Sequence, residues 1–195
     1  MDDIHFFKIE TNHIKPRKGS VLIAEPFLRD AVFESSIVLL TEHNEEGTIG
    51  FVLNKPLNTS MQEIIQDFPE GNFSVSLGGP VASNSLHYIH TLGERIPGSI
   101  HVYDKVYWGG DFDALKKLIQ AGKIKEHEVR FFIGYSGWEP RQLERELSEN
   151  SWLVTYIDTD KIMRHSDKKL WYNVLSKLGP RYKMWINAPA DPSLN

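Results

Sequence analysis

Ser136 is the residue whose type and setting most directly suggest chemistry, because it lies in the glycine-bracketed stretch Gly134-Tyr135-Ser136-Gly137. The apolar residues 129–135 predict a buried central strand in front of it, and Pro140 predicts the first turn of a helix behind it. A serine on a sharp turn between a strand and a helix is the arrangement of the nucleophile elbow in α/β-hydrolases. One hypothesis is therefore a hydrolase that uses Ser136 as its nucleophile.

The match to that elbow is incomplete. The elbow has the pattern G-x-S-x-G, whereas Ser136 is followed directly by Gly137 and then by the bulky Trp138. A catalytic triad also needs an acid and a histidine placed later in the chain, and only His165 follows. A small serine that simply fits a strand-to-helix turn explains the same residues, and we favour this interpretation over a nucleophile.

Trp138 is a second candidate, for binding rather than for catalysis. A large aromatic side chain in a turn next to glycines can form an exposed stacking platform for a ligand. It can equally fold back and cover the end of the apolar core. The sequence leaves both interpretations open.

Six residues at predicted strand ends or turns make up the candidate binding site, since function concentrates at such positions. They are His43, Asn54, Gly79, Tyr135, Ser136 and Trp138. The hypothesis is that several of them converge into one polar and aromatic surface cleft. The alternative is that the glycines only make turns and the polar groups only cap the backbone. Placement of these residues on opposite faces of the molecule would contradict the cleft.

The sequence predicts no metal site and no cofactor. His87 and His90 are three residues apart, so on a strand they point to opposite faces. Gly78-Gly79 is a poor phosphate loop because Pro80 removes a backbone donor. Gly109-Gly110 precedes a predicted helix, but Asp111 already places negative charge at that N-terminus.

Composition excludes further classes. The 195 residues carry a formal net charge of −4, which argues against a protein built around nucleic acid. There are no cysteines, so disulfides, iron–sulfur clusters and thiolate zinc sites are excluded. The acidic start lacks a signal-peptide pattern, and no apolar run reaches the length of a membrane span. We expect a soluble, cytoplasmic protein with no membrane association.

The pattern of elements predicts one α/β (α+β) domain over residues 1–195, with residues 1–18 as an N-terminal arm or short helix. Strands are predicted at the following apolar or alternating runs: 19–24, 36–41, 48–54, 75–77, 86–91, 99–103, 129–135 and 152–157. Helices are predicted after Thr59 or Ser60, after Asp111, from Pro140 and after Asp167.

Several motifs, taken in order, resemble the AlgH/YqgE family of bacterial proteins. They are residues 19–26 (GSVLIAEP), 47–56 (GTIGFVLNKP), 77–81 (LGGPV) and 134–138 (GYSGW), followed by 139–144 (EPRQLE). The resemblance covers nearly the whole chain. It implies a compact domain with a mixed, partly barrel-like β core flanked by helices, and it implies no settled activity.

Some members of that family have been labelled transcriptional regulators. The resemblance also implies that alanine is common where Ser136 stands, which weakens a catalytic role for this serine. The sequence therefore favours a non-enzymatic regulatory or binding protein that recognises a small ligand or a protein partner. A hydrolase that uses Ser136 is the alternative. Direct binding to nucleic acid is disfavoured, because the chain shows no clear helix-turn-helix signal.

Overall fold

A computed structural model describes residues 12–28, 30–164 and 169–187 of the protein. The strands of the described residues are β1 (Val21–Ala24), β2 (Ile37–Asn44), β3 (Gly47–Val52), β4 (Pro56–Ser60), β5 (Ser74–Leu77), β6 (Val81–His90), β7 (Ile100–Tyr103), β8 (Val106–Trp108), β9 (Val129–Trp138) and β10 (Trp152–Thr155). The helices are α1 (Met61–Ile64), α2 (Phe112–Gln120), α3 (Gln142–Ser148), α4 (Thr159–Met163), α5 (Leu170–Leu178) and α6 (Lys183–Ile186).

The strands form one sheet in the order β10-β1-β2-β3-β9-β6-β8-β7, with β5 joined to β9 and β4 joined to β5. All pairs are antiparallel except β5 and β9, which run parallel. The predicted mixed α+β class is therefore confirmed. The described strands do not close into a barrel, because β10 and β7 remain at the two ends of the strand order.

Strand β9 joins the two halves of this sheet. Its first half lies between β5 and β6, with Phe131 opposite Val75 on one side and opposite Tyr88 on the other. Its second half pairs with β3, where Gly137 lies opposite Ile49. One edge of β9 is thus shared by two strands, and the sheet forks at this point.

A bulge at Gly134 turns the strand within this fork. Phe132 and Tyr135 are three residues apart, yet both pack against the same buried cluster, which regular alternation does not allow. Gly134 has φ +67°, a left-handed conformation that shifts the alternation by one residue. Before Gly134 the even-numbered Phe132 faces this cluster, and after Gly134 the odd-numbered Tyr135 faces it.

The predicted turn at Gly134–Gly137 is wrong. The strand continues through Trp138, and the turn lies at residues 139–141 instead. The following helix begins at Gln142 rather than at Pro140, after Arg141 in a left-handed conformation. The bulge explains the difference from the prediction. The positive φ of Gly134 bends the strand at this point, and the strand does not end there.

The chain crosses β9 at Gly78-Gly79-Pro80, on its way from β5 on one edge to β6 on the other. A Cβ atom on Gly79 would lie 2.3 Å from the carbonyl group of Tyr135. Real Cβ atoms do not approach backbone so closely, so the crossing needs glycine at this position. Gly78 fixes the crossing on both sides, since its N–H donates to Ile133 O and its carbonyl accepts from Val52 N–H.

The sheet separates three buried apolar clusters. The first lies between β1–β3 and helices α4–α6 and includes Phe51, Phe132 and Trp171. The second lies between β5, β6, β9 and helices α1 and α2. The third lies on the opposite face of β1–β3, under α3, and includes Trp138 and Trp152. Strand β9 contributes to all three clusters.

Several predictions about single elements can be compared with the structure. The strands predicted at 36–41 and 48–54 are confirmed as β2 and β3, which pair as a hairpin, and helices begin after Ser60 and after Asp111 as predicted. Strands β4 and β8 and helices α4 and α6 were not predicted. The predicted cap Asp167 and most of the predicted N-terminal arm lie outside the described residues. In the described part of the chain, no helix combines the length and the apolar character needed to cross a membrane.

Candidate functional site

A groove of about 600 Å³ opens where β2 and β9 end and β3 begins. We call it the acidic groove, and its lining residues are Glu42, Asn44, Glu46, Gly47, Thr48, Ile49, Val81, Tyr135, Gly137, Trp138, Glu139, Pro140 and Gln142. The β2–β3 hairpin supplies one wall. The end of β9 and the turn into α3 supply the other, so the antiparallel pairing of β3 with β9 fixes the width of the groove.

Three carboxylates border the groove, from Glu42, Glu46 and Glu139. The hairpin positions the first two through Asn44, whose amide donates to Glu42 Oε1 (2.8 Å) and whose Oδ1 accepts from the N–H of Glu46 (2.8 Å). Glu139 is placed by its own N–H, which donates to Gln142 Oε1 (2.9 Å). No lysine, arginine or histidine of the described residues lines the groove, so its electrostatic potential is negative.

The apolar part of the groove comes from Ile49, Val81 and Tyr135. All three are half-buried. The ring of Tyr135 packs edge-to-face on His87, with 5.6 Å between the ring centroids, which fixes its orientation. The groove thus combines anionic groups with an ordered aromatic side chain.

Trp138 borders the groove but is only 5% exposed. Its indole N–H donates to Glu146 Oε2 (2.9 Å), and Trp152 donates to the same oxygen (2.8 Å). The two indoles also pack edge-to-face in the third cluster. Of the two interpretations of Trp138, the structure therefore shows the one in which it covers the core. It is not an exposed stacking platform.

Ser136 lies within β9, opposite Gly50 of β3, and is fully buried. Its Oγ donates a hydrogen bond to the carbonyl oxygen of Gly78 (3.0 Å), which ties β9 to the glycine crossing. A nucleophile needs access to substrate and a base within hydrogen-bond reach. The observed geometry gives Ser136 a structural partner and no access, and His165 lies outside the described residues.

The remaining three predicted site residues do not line the groove. His43 is engaged by Thr48 Oγ1, 2.7 Å from its Nδ1, and its Nε2 lies 3.9 Å from Glu144. Asn54 is buried near the start of β2, where its Oδ1 accepts from the N–H of Ile37 (2.9 Å). Gly79 supports the groove from behind, through its contact with the backbone of Tyr135.

The structure thus brings together only part of the predicted set. Tyr135 and Trp138 line the acidic groove, with Ser136 and Gly79 packed behind them. Glu42, Glu46 and Glu139 were not among the predicted site residues. The available signal was the run Glu42-His43-Asn44-Glu45-Glu46, which places carboxylates between the strands predicted at 36–41 and 48–54.

The carboxylates of the groove do not form a metal centre. In residues 12–28, 30–164 and 169–187, no group of three or more histidine, aspartate or glutamate side chains is arranged to hold a metal ion. Glu42 and Glu46 come from the β2–β3 hairpin and Glu139 comes from the turn after β9, so the three carboxylates stand on the two walls of the groove and do not converge on one point.

Residues 21–183 of the chain match the model of a protein family described as AlgH-like. The chain is 44% identical to a UPF0301 protein of Bacteroides thetaiotaomicron over 194 residues, which cover 99% of this chain and 98% of the relative. It is 45% identical to a UPF0301 protein of Parabacteroides distasonis over 193 residues, which cover 98% of each.

Two solved structures share the fold. The solution structure of the AlgH protein from Pseudomonas aeruginosa superimposes with a TM-score of 0.70 at 27% identity, covering 91% of this chain and 99% of that one. A crystal structure of a protein from Corynebacterium diphtheriae superimposes with a TM-score of 0.75, covering 91% and 94% of the two chains. The second pair is 20% identical, so this likeness concerns the fold alone.

Proposed function

This chain belongs to the AlgH-like family, and on that premise we propose that it is a non-enzymatic binding protein whose acidic groove holds a positively charged ligand. The ligand is a small molecule or a basic segment of a protein partner. The names of the relatives specify no ligand, so the proposal rests on the groove. The observation that carries it is the set of three carboxylates around half-buried apolar side chains, with no basic side chain of the described residues among them.

Charge selects the class of ligand. Carboxylates on a concave surface with apolar walls concentrate the negative field and attract cations. The same field repels phosphates, which supports a ligand other than nucleic acid. Because Glu42 and Glu46 lie on the hairpin wall and Glu139 lies on the opposite wall, they suit a cation with several charges distributed along its length.

The apolar part of the groove supports a ligand with an aliphatic stem. Lysine, arginine and polyamines carry methylene groups next to their charge, and such stems pack on apolar surface while the charge remains in water. Ile49 and Val81 offer that surface. The ring of Tyr135 adds a site for a cation–π contact, which contributes ~0.5–1 kcal/mol at exposed positions.

We propose a regulatory role, because a protein that binds a ligand without converting it acts by changing the activity of a partner. The cytoplasm, with its polyamines and basic protein segments, is the proposed location. The buried position of Ser136 supports a binding role over the hydrolase alternative.

Isothermal titration with spermine and with a hexa-arginine peptide tests the proposal, with a hexa-glutamate peptide as the control. In the double variant Glu46→Lys/Glu139→Lys, both substitutions lie on exposed positions that line the groove. We expect this variant to bind the cationic probes about tenfold more weakly or worse, equivalent to ~1.4 kcal/mol.

The matched control is Glu45→Lys/Glu149→Lys, which changes the net charge equally at exposed positions outside the groove. We expect it to retain most of the affinity. An equal loss in both double variants would show attraction to net charge rather than to the groove. Absence of binding by the wild-type protein to either cationic probe would overturn the proposal.

A further inference from the structure

A second cavity, of about 520 Å³, lies between β6, β8 and the start of α2. We call it the aromatic pocket, and Tyr88, Trp108 and Phe112 form its walls while Ile100 stands at its rim. Ile100 is 48% exposed and Trp108 is half-buried, so this apolar surface is accessible. Its size falls within the range of small-molecule sites, about 300–1,000 Å³.

The pocket selects against charge. None of its lining residues is an aspartate, glutamate, lysine or arginine. His87, its one titratable imidazole, is kept neutral because burial lowers its pKa. The neighbouring Asp111 caps α2, since its Oδ1 accepts from the N–H groups of Asp113 and Ala114. Its charge still acts at the pocket wall and disfavours an anion, because burial and then the Asp111 carboxylate raise the pKa of Tyr88 to about 12. An uncharged ligand therefore loses least on entering.

The glycine pair Gly109-Gly110 forms one wall of the pocket. Two side chains, from His90 and Tyr88, hold its carbonyl groups by hydrogen bonds. The N–H of Leu92 donates to His90 Nδ1, so the proton of this imidazole is on Nε2, which donates to the carbonyl oxygen of Gly109 (3.0 Å). The hydroxyl of Tyr88 donates to the carbonyl oxygen of Gly110 (2.9 Å).

This arrangement directs one backbone donor outward. In a trans peptide the N–H points opposite to the C=O of the preceding residue, so the N–H of Gly110 points away from His90. Within the described residues this N–H has no hydrogen-bond partner, whereas those of Gly109 and Asp111 donate to Tyr88 O and Pro97 O. A Cβ atom on Gly109 would meet nothing within 4 Å, which shows open space beside the wall.

We propose that the aromatic pocket binds an uncharged, flat aromatic molecule that carries a carbonyl oxygen. The rings of the ligand pack on Trp108 and Phe112, and its oxygen accepts from the N–H of Gly110. Small-molecule sites have this composition, with apolar walls and a few fixed polar groups that orient the ligand. The aromatic pocket and the acidic groove share no lining residue and differ in the charge of their lining, although Tyr135 of the groove packs on His87 of the pocket.

Fluorescence titration with Prodan tests the proposal on the intact protein. Prodan is an uncharged naphthalene ketone whose emission shifts to the blue in an apolar environment. We expect saturable binding at one site with a dissociation constant tighter than ~0.2 mM, as the usual affinity per ligand atom implies. Anilinonaphthalene sulfonate, which is aromatic but anionic, is expected to bind at least about tenfold more weakly.

Variants locate the site. Ile100→Glu places a carboxylate at the rim from an exposed position on β7, and we expect it to weaken Prodan binding about tenfold. Ile100→Leu, which keeps the apolar surface, and Tyr172→Glu, on the exposed face of α5, are expected to bind as the wild type does.

Any of three outcomes with Prodan, the anionic dye or Ile100→Glu would overturn the proposal, and a fourth concerns the Tyr172→Glu control. The three are the absence of saturable Prodan binding, equal binding of the anionic dye, and unchanged binding by Ile100→Glu. A loss of binding in Tyr172→Glu equal to that in Ile100→Glu would likewise place the dye elsewhere. The double variant Glu46→Lys/Glu139→Lys should bind Prodan normally, which separates this site from the acidic groove.

Discussion

Gly79 and Gly134 cross so closely that a Cβ atom added to Gly134 would lie 2.7 Å from the carbonyl oxygen of Gly79. Neither backbone can give way, because Gly134 lies in β9 and Gly79 in the link that joins β5 to β6. The LGGPV and GYSGW motifs are thus two sides of one contact. Their shared task is to let the chain pass over its own central strand.

Gly134→Ala should destabilise the protein by ~2–4 kcal/mol, because it combines positive-φ strain with a clash against backbone. Gly122→Ala is the matched control. Gly122 has a similar φ of +64°, but nothing lies within 4 Å of its added Cβ, so only the strain of ~1–2 kcal/mol remains. Urea unfolding of both variants measures the difference. Equal losses would show that the crossing tolerates a methyl group.

Ser136→Ala should cost only ~0.5–1.5 kcal/mol, since it removes one buried hydrogen bond, to Gly78 O. The folded wild-type protein should not react with a fluorophosphonate probe, because Ser136 is fully buried. Intact mass spectrometry after incubation checks this expectation. Labelling of the folded protein that disappears in Ser136→Ala would restore the hydrolase hypothesis.

Glu146→Gln should destabilise the third cluster by ~1–3 kcal/mol. Oε2 of Glu146 accepts from both Trp138 and Trp152, while Oε1 accepts from Gln142. A glutamine amide has one oxygen and one NH₂ group, so at least one of these donors loses its acceptor.

Urea unfolding followed by tryptophan emission measures this change. Glu144→Gln is the control, because Glu144 is exposed and its described contact is the 3.9 Å approach to His43. We expect the control to be within about 0.5 kcal/mol of the wild type. A Glu146→Gln variant as stable as the control would show that the shared oxygen contributes nothing measurable.

Stability should fall on acidification below about pH 6.5, in part through His90. Burial lowers the pKa of His90 from its usual 6.5, despite its hydrogen bond to Gly109. The unfolded chain therefore takes up the proton first, and the stabilisation present above pH 6.5 is lost as the pH falls through the folded pKa.

The variant His90→Gln isolates this contribution. The difference in unfolding free energy between wild type and variant should shrink as the pH falls below about 6.5, by up to ~1.4 kcal/mol per unit. Denaturant unfolding at a series of pH values measures it. A difference that stays constant from about pH 7.5 to 5 would contradict the neutral, buried imidazole.

Most elements could be predicted from the sequence, because their periodicity and caps are local. The Asp111 cap and the apolar positions of α2 identify that helix without tertiary information. The bulge at Gly134 could not be predicted, since a glycine in a strand-to-helix segment fits a turn equally well. The strand continues to Trp138 because its second half pairs with β3 and because Gly79 crosses it at Tyr135, and both contacts are tertiary.

The candidate site was predicted less well than the fold. Asn54 and His43 were correctly read as polar groups at or near strand ends, but their partners, Ile37 N–H and Thr48 Oγ1, are set by strand register. Glu42 and Glu46 of the acidic groove lie far in sequence from Glu139. Their proximity depends on the pairing of β3 with β9, which no local pattern reveals.

Because β9 contributes to all three clusters, the stability of this strand depends on the packing of the whole sheet. Phe132 is buried in the first cluster, Val129 and Phe131 are buried in the second, and Trp138 is buried in the third. Loss of any one cluster therefore frays the strand on which the other two depend. Hydrogen exchange at the β9 amides should consequently proceed through global unfolding, so the lobes of this sheet cannot melt separately.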